Sequence, residues 1–251
     1  MQKTNFDIEK GFLSLCYHYI RPEKNFDLFP RLLGIDVLEF KNHLDMLKKN
    51  YQFLTLNEAL NFLKKNDQNK SKKTGMLLTF DDGLSDHYEA AKILHERNIE
   101  GVFFLPTCII DEKLPANPII IHYGISIFGI SKFLEELNFS INDFNLQKKD
   151  YFLDYKQGDD IWHIISKIKT FFKYELDYKL AREILLQIYE RLILPKFPNA
   201  LALMHLTENQ ISEIMNTIKN KHTNKYKRKY KRKYKKNIKK NIRKIIKKKM
   251  I

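Results

Sequence analysis

The sequence predicts an α/β fold: a parallel sheet curving into a partial, irregular (β/α) barrel, with a helical insertion and a basic low-complexity tail. Three observations predict it. The run "GMLLTF" (75–80) is continuously apolar, as a strand buried on both faces must be. A helical pattern and then "NIEGVFFLPT" (98–107) follow it, which makes a strand–helix–strand unit and so implies parallel pairing. Near residue 219 the composition changes abruptly from mixed to lysine-rich.

Taken in order, "FLSLCYHYI" (12–20) has the length and aromatic content of a strand, and "RPEKNFDLFPRLLG" after it, with two prolines and a closing glycine, is a long loop. From Asp36, Leu38, Phe40, Leu44 and Leu47 recur at helical spacing. A second series of Leu54, Leu56, Ala59, Leu60 and Leu63 also recurs at helical spacing, the two being broken by the strand-like "YQFLT". The polar "KKNDQNKSKK" (64–73) is an exposed connection. After the central strand, Asp86 is expected to cap a helix in a box with Glu89, with Tyr88, Ala91 and Leu94 as its apolar stripe. That arrangement leaves His87 exposed on the first turn. Residues 119–198 read as several helices, and Thr207 with Gln210 marks one more.

Composition narrows the function classes. With 43% hydrophobic and 13% aromatic residues, 251 residues can bury a sizeable core. The net charge of +15 suggests a nucleic-acid or acidic-surface binder until it is located. Residues 219–251 hold 18 Lys and Arg and no acid, so residues 1–218 carry 27 basic against 30 acidic groups. The basic character therefore belongs to the tail, and a domain of residues 1–218 is expected ahead of it. Like charges and too few apolar residues keep such a tail from folding alone. Cys16 and Cys108 lie in apolar sequence and are expected as buried thiols rather than a disulfide. The charged N-terminus "MQKTNFDIEKGF" lacks the apolar stretch of a signal peptide, and no apolar run reaches membrane-spanning length. A cytoplasmic location is the expectation.

The chemistry concentrates in "MLLTFDDGLSDHY" (76–88). Carboxylates at the C-terminal ends of parallel strands face the mouth of the sheet, where ligands bind. Because side chains alternate along a strand, Asp81 and Asp82 should point differently and hold different roles. The plainer alternative is a tight Asp82-Gly83 turn whose aspartates serve the backbone.

The segment "LLTFDDGLSDHYEAAKILHERNIEGVFFLPT" (77–107) closely resembles the first motif of polysaccharide deacetylases with the NodB-homology domain, carbohydrate esterase family four. "CYHYIRP", "FPRLLGIDVLEFKNHLDMLKKNYQFLTLNEAL" and "IIIHYGI" are similar to neighbouring regions of its surface-polysaccharide subgroup, so the resemblance covers roughly residues 11–215. It implies an irregular (β/α) barrel and metal-assisted hydrolysis of N- or O-acetyl groups on a carbohydrate. Asp81 would be the general base and Asp82 a ligand of zinc or a similar divalent ion. The family's histidine pair matches only at His222-Thr223, because Tyr226 stands where the second histidine belongs. On the resemblance, the chain is truncated about halfway round the barrel, as a reading frame disrupted near residue 216 would leave it, and its activity is impaired or absent.

Other residues carry weaker signals. His18, among aromatics at a strand end, is either packed or beside the metal. His122, His163 and His205 are expected to be structural or superficial, and the lone Trp162 to pack within a helix. Two further functions compete: a non-catalytic protein whose Lys/Tyr tail binds nucleic acid or anionic membrane nonspecifically, and a metal-dependent carbohydrate-binding module.

Overall fold

A computed structural model describes residues 12–65, 73–144, 155–156 and 158–216. The chain divides into two units, residues 1–207 and 208–251, and the described part of the second is a helix over 208–216.

In the first unit, β5 (Thr74–Phe80) is the central strand, buried from Gly75 onward. Strand β1 (Phe12–Tyr17) pairs with it in parallel along its whole length, Phe12 opposite Gly75 and Tyr17 opposite Phe80. Two short strands share its other edge, also in parallel: β4 (Tyr51–Phe53) against residues 74–76 and β6 (Gly101–Phe103) against residues 78–80. Strands β2 (Ile20–Arg21) and β3 (Ile35–Asp36) form a separate parallel pair. The fold is thus α/β with parallel pairing. Among the described residues the strands form an open sheet, without closure into a barrel.

Alternation along β5 splits the packing. Met76, Leu78 and Phe80 face a core with Tyr17, Phe40, Leu44, Ile93 and Leu94, which is where α1 (Val37–Asn50) and α3 (His87–Glu96) dock. Leu77 faces the other way, onto Leu54 and Ala59 at the start of α2 (Leu56–Lys65). Helix α1 begins with a reciprocal capping box, Asp36 accepting from the Glu39 N–H at 2.7 Å and Glu39 from the Asp36 N–H at 3.0 Å. Its inward residues Phe40, Leu44 and Leu47 follow the helical period.

The region that sequence assigned to several helices has its own core. After the single turn α4 (Cys108–Asp111), helices α5 (Asn117–Phe128) and α6 (Ile130–Asp143) meet at Gly129, whose φ of 85° reverses the chain. Helices α7 (Ile161–Thr170) and α8 (Tyr178–Ile188) each run into a π-helical turn, and a short α9 (Ala200–Met204) follows. Ile119, Phe133, Leu137, Ile168, Ile184 and Leu185 fill this core together with Leu84, the first apolar residue after the aspartates. The helical lobe therefore packs onto the chemically interesting turn. No helix among the described residues is long and apolar enough to cross a membrane.

Candidate active site

Strand β5 delivers Asp81 and Asp82 to the C-terminal edge of the sheet. The Asp81 N–H donates to the Tyr17 carbonyl at 3.1 Å and so extends the β1 ladder by one residue. The chain then turns sharply, with Asp82 at φ 72° and Gly83 at φ 54°. Aspartate tolerates this left-handed region better than most residues, and glycine enters it without strain. The tight turn expected from sequence is present, and it coexists with outward-facing carboxylates.

The clamp on the turn comes from the far end of the helical lobe. His205, 1% exposed, donates from Nδ1 to the Asp82 carbonyl at 3.0 Å, while its Nε2 accepts from the Ala116 N–H at 3.2 Å. These two partners fix one neutral tautomer, and burial pulls its pKa down to about 4. The Leu206 N–H donates to Gly83, the Ser85 N–H to Met204, and the Ser85 hydroxyl to Leu203 at 2.7 Å. His205 is structural, as the sequence suggested, but the loop it holds is the one carrying the aspartates.

Register explains a further convergence. Cys16 pairs with Thr79, so Cys16 and His18 run up one face of β1 beside Thr79 and Asp81 on β5. Ligating atoms of Cys16, His18 and Asp81 all lie within 4.8 Å of one another. The His18 ring has Nδ1 3.9 Å from Cys16 Sγ and Nε2 3.9 Å from Asp82 Oδ2. Burial raises the Asp82 carboxyl above the usual range against the pull of His18, and the charge of Asp81 adds to the rise. Burial, with Asp81 and Asp82 nearby, also raises the Cys16 thiol although Thr79 opposes it. Beside the aspartates opens a cavity of about 380 Å³ with an apolar wall of Phe104, Leu105 and Pro106.

Several expectations are corrected. His87 is fully buried, not exposed: its Nε2 donates to the His18 carbonyl at 2.9 Å, and Phe80 and Phe103 pack on its ring. Burial lowers its pKa to about 4. Asp86 stands at the N-terminus of α3 without a capping bond, because its carboxylate accepts twice from Arg21 Nη1, at 2.9 and 3.0 Å. The same guanidinium also binds Asp27, which ties the loop after β2 to α3. Cys16 and Cys108 are free thiols, but Cys16 is exposed and Cys108 half-buried, since β1 turns its even-numbered side chains away from the main core. Trp162 is 59% exposed rather than packed. His122 bonds the Tyr19 hydroxyl at 3.0 Å and His163 lies on the surface. His222 and the tail lie outside the described residues.

A divalent metal of the zinc type fits the donors present: a thiol, an imidazole and two carboxylates are groups that bind it, and they converge at one open mouth. Sequence could flag Asp81, Asp82 and His18. The Cys16–His18 spacing was a usable signal only once the β1–β5 register was known, whereas Arg21 and His205 gave none, being joined to the site across long stretches of chain.

No family model and no curated protein matches the chain. Among solved structures it is similar to IcaB from Ammonifex degensii, at 29% identity over 41% of each chain with a TM-score of 0.34. It is also similar to the Streptococcus pyogenes deacetylase PplD in complex with acetate, at 23% identity over 42% of this chain and 46% of that one, with a TM-score of 0.32. The similarity spans less than half the length of either neighbour.

Proposed function

We propose that this chain is a carbohydrate deacetylase-like protein which hydrolyses N- or O-acetyl groups with a divalent metal of the zinc type, its sheet being an arc of an irregular (β/α) barrel. The observation that carries the reading is the convergence of Asp81, Asp82 and His18 at the C-terminal edge of parallel strands, beside an open cavity. Asp82 and His18 Nε2, 3.9 Å apart, are the donors that would hold the cation. When bound, the cation supplies Lewis acidity, easing deprotonation of water and polarising the acyl carbonyl.

The chain's own residues do the rest. Asp81 takes the proton from the attacking water as its oxygen bonds to the acyl carbon, and returns it to the sugar nitrogen or oxygen as that bond breaks. The Phe104–Pro106 wall receives the acetyl methyl, and the His205 clamp keeps both carboxylates aimed at the mouth. His18 and Cys16 enlarge the donor set that sequence alone counted, so the ligand deficit that pointed to impaired activity is smaller than it looked.

A second donor set, Cys16 with His18 Nδ1 and Asp81, is favoured by the compactness of that trio. One experiment separates the two: zinc stoichiometry and acetate release from an acetylated amino-sugar oligomer, measured on the full chain and its variants. With Asp81 as base, Asp81→Asn keeps zinc and loses turnover by about 100-fold or more, while Asp82→Asn loses zinc. Loss of zinc in both Asp81→Asn and Cys16→Ser assigns the metal to the second set. Acetate release indifferent to Asp81→Asn overturns the reading.

A further inference from the structure

The helical lobe, the loop after β2 and the residues His18 and Tyr19 line a second, open cavity of about 540 Å³. Its walls come from three places in the chain: the loop at Arg31 and Leu32, the junction of α5 and α6 at Ile125 to Ile130, and one face of α7. The role of α7 is legible in its period. Ile164 and Ile168 point into the core, whereas Ile161, Ile165 and Lys169 follow one another at four-residue steps along the cavity, with Trp162 beside them. The helix therefore has two apolar faces, and the second is only partly covered: Ile165 is half-buried against the helical core, while Ile161 is 38% and Trp162 59% exposed. Neighbouring apolar groups left open in a concavity of this size are the usual lining of a ligand site.

Polar groups on the walls define what the ligand must carry. Arg31 is anchored by a 2.7 Å bond from its Nη2 to the Ile127 carbonyl, and it has no carboxylate partner among the described residues. Lys169 likewise has none among them. Both are exposed, so a charge that meets them stays at the rim, where it keeps part of its hydration. Ser126, 7% exposed, lines the same wall, and its buried hydroxyl has no hydrogen-bond partner among the described residues. The Ser126 hydroxyl is sealed beneath the wall, so the donors a ligand can reach are the Arg31 guanidinium, beyond its one bond to Ile127, and the Lys169 ammonium, and an anionic oxygen is the acceptor that suits both.

We propose that this cavity binds a single aliphatic chain bearing an anionic head, with the chain among Ile125, Ile130, Ile165 and Trp162 and a phosphate or carboxylate at Arg31 and Lys169. His18, Tyr19 and His122 also line the cavity, but Tyr19 and His122 already bond each other, and the isoleucines offer a sugar's many hydroxyls no partner, so an aliphatic chain suits this wall better than a sugar. The proposal goes beyond the deacetylase reading and does not depend on it, since binding here needs neither metal nor turnover.

The test uses the only tryptophan in the chain, which stands on the cavity wall. Full-length protein is titrated with decyl phosphate below its micelle concentration while Trp162 emission is followed. The expected result is a saturable blue shift with one-to-one stoichiometry. Decanol should bind about tenfold more weakly and inorganic phosphate give no shift, because burial of methylenes supplies most of the affinity and the rim charges the remainder. Arg31→Ala combined with Lys169→Ala should weaken decyl phosphate about tenfold while leaving decanol unchanged. Ile165→Glu should abolish binding of both. Absence of a saturable shift, equal affinity for decanol and decyl phosphate, an unaffected double variant, or an equal shift from an acetylated amino-sugar oligomer each overturns the proposal.

Discussion

Gly83 shows how tightly single positions at the site are specified. It combines φ 54° with a close neighbour, since a methyl group placed on it would come within 2.9 Å of Leu105 Cδ2. Gly83→Ala is therefore expected to lower unfolding free energy by about 1–3 kcal/mol, the sum of a left-handed alanine and a crowded contact. Urea denaturation measures it, and a variant as stable as the parent would mean that the turn relaxes. Asp82 accepts a similar strain at φ 72° while presenting its carboxylate to His18. Sequence marked this turn through Asp-Asp-Gly. It could not mark the clamp, because His205 approaches from more than a hundred residues away.

Among elements, Arg21 is the tie with the largest expected effect. It is 6% exposed on β2 and binds both Asp27 in the following loop and Asp86 at the head of α3. Burial, with Asp27 close by, outweighs Arg21 and pushes Asp86 up to about 6. Arg21→Met would leave two buried carboxylates without their cation, at a cost of about 3–5 kcal/mol near neutral pH. The loss should shrink as pH falls below about 6 and Asp86 takes up a proton, so thermal unfolding at pH 7 and pH 5 should show the variant closer to the parent at the lower value. A deficit independent of pH would mean that packing, not charge, is what Arg21 supplies. Nothing in "YIRPEKNFD" distinguishes this arginine from a surface residue.

For the whole molecule, buried histidines set the response to acid. His87, His122 and His205 are all drawn down to about 4 by burial, from an unfolded value of 6.5. Their contribution is complete above pH 6.5 and is lost as pH falls toward 4, because the unfolded chain takes up protons that the fold refuses. Asp86 and Asp82 act in the opposite sense, since their folded carboxyls hold a proton more readily than the unfolded chain does. Three groups outweigh two, and only Asp86 is moved far. Stability should fall by several kcal/mol between pH 6.5 and pH 4, at about 1.4 kcal/mol per proton per pH unit. His205→Gln, whose amide can donate to the same carbonyl without titrating, should flatten that slope, whereas an unchanged slope would place the acid sensitivity elsewhere.

The sequence by itself determined the parallel strand–helix–strand unit, the turn at Asp82-Gly83 and the location of the positive charge. Each of these is written locally: in the buried run before Asp81, in the glycine after Asp82, and in the lysines beyond residue 218. Only the tertiary structure decided which groups meet the aspartates. The β1–β5 register brings Cys16 and His18 level with Asp81, the helical lobe returns His205 to the turn, and Arg21 diverts Asp86 from its cap. Those contacts join residues tens to more than a hundred positions apart, and a one-residue shift of β1 would turn Cys16 and His18 to the opposite face. The alternation along β1 sets which face it buries, but not which residues of β5 lie opposite. The buried face is that of Leu13, Leu15 and Tyr17, against the α1 and α3 side of the sheet.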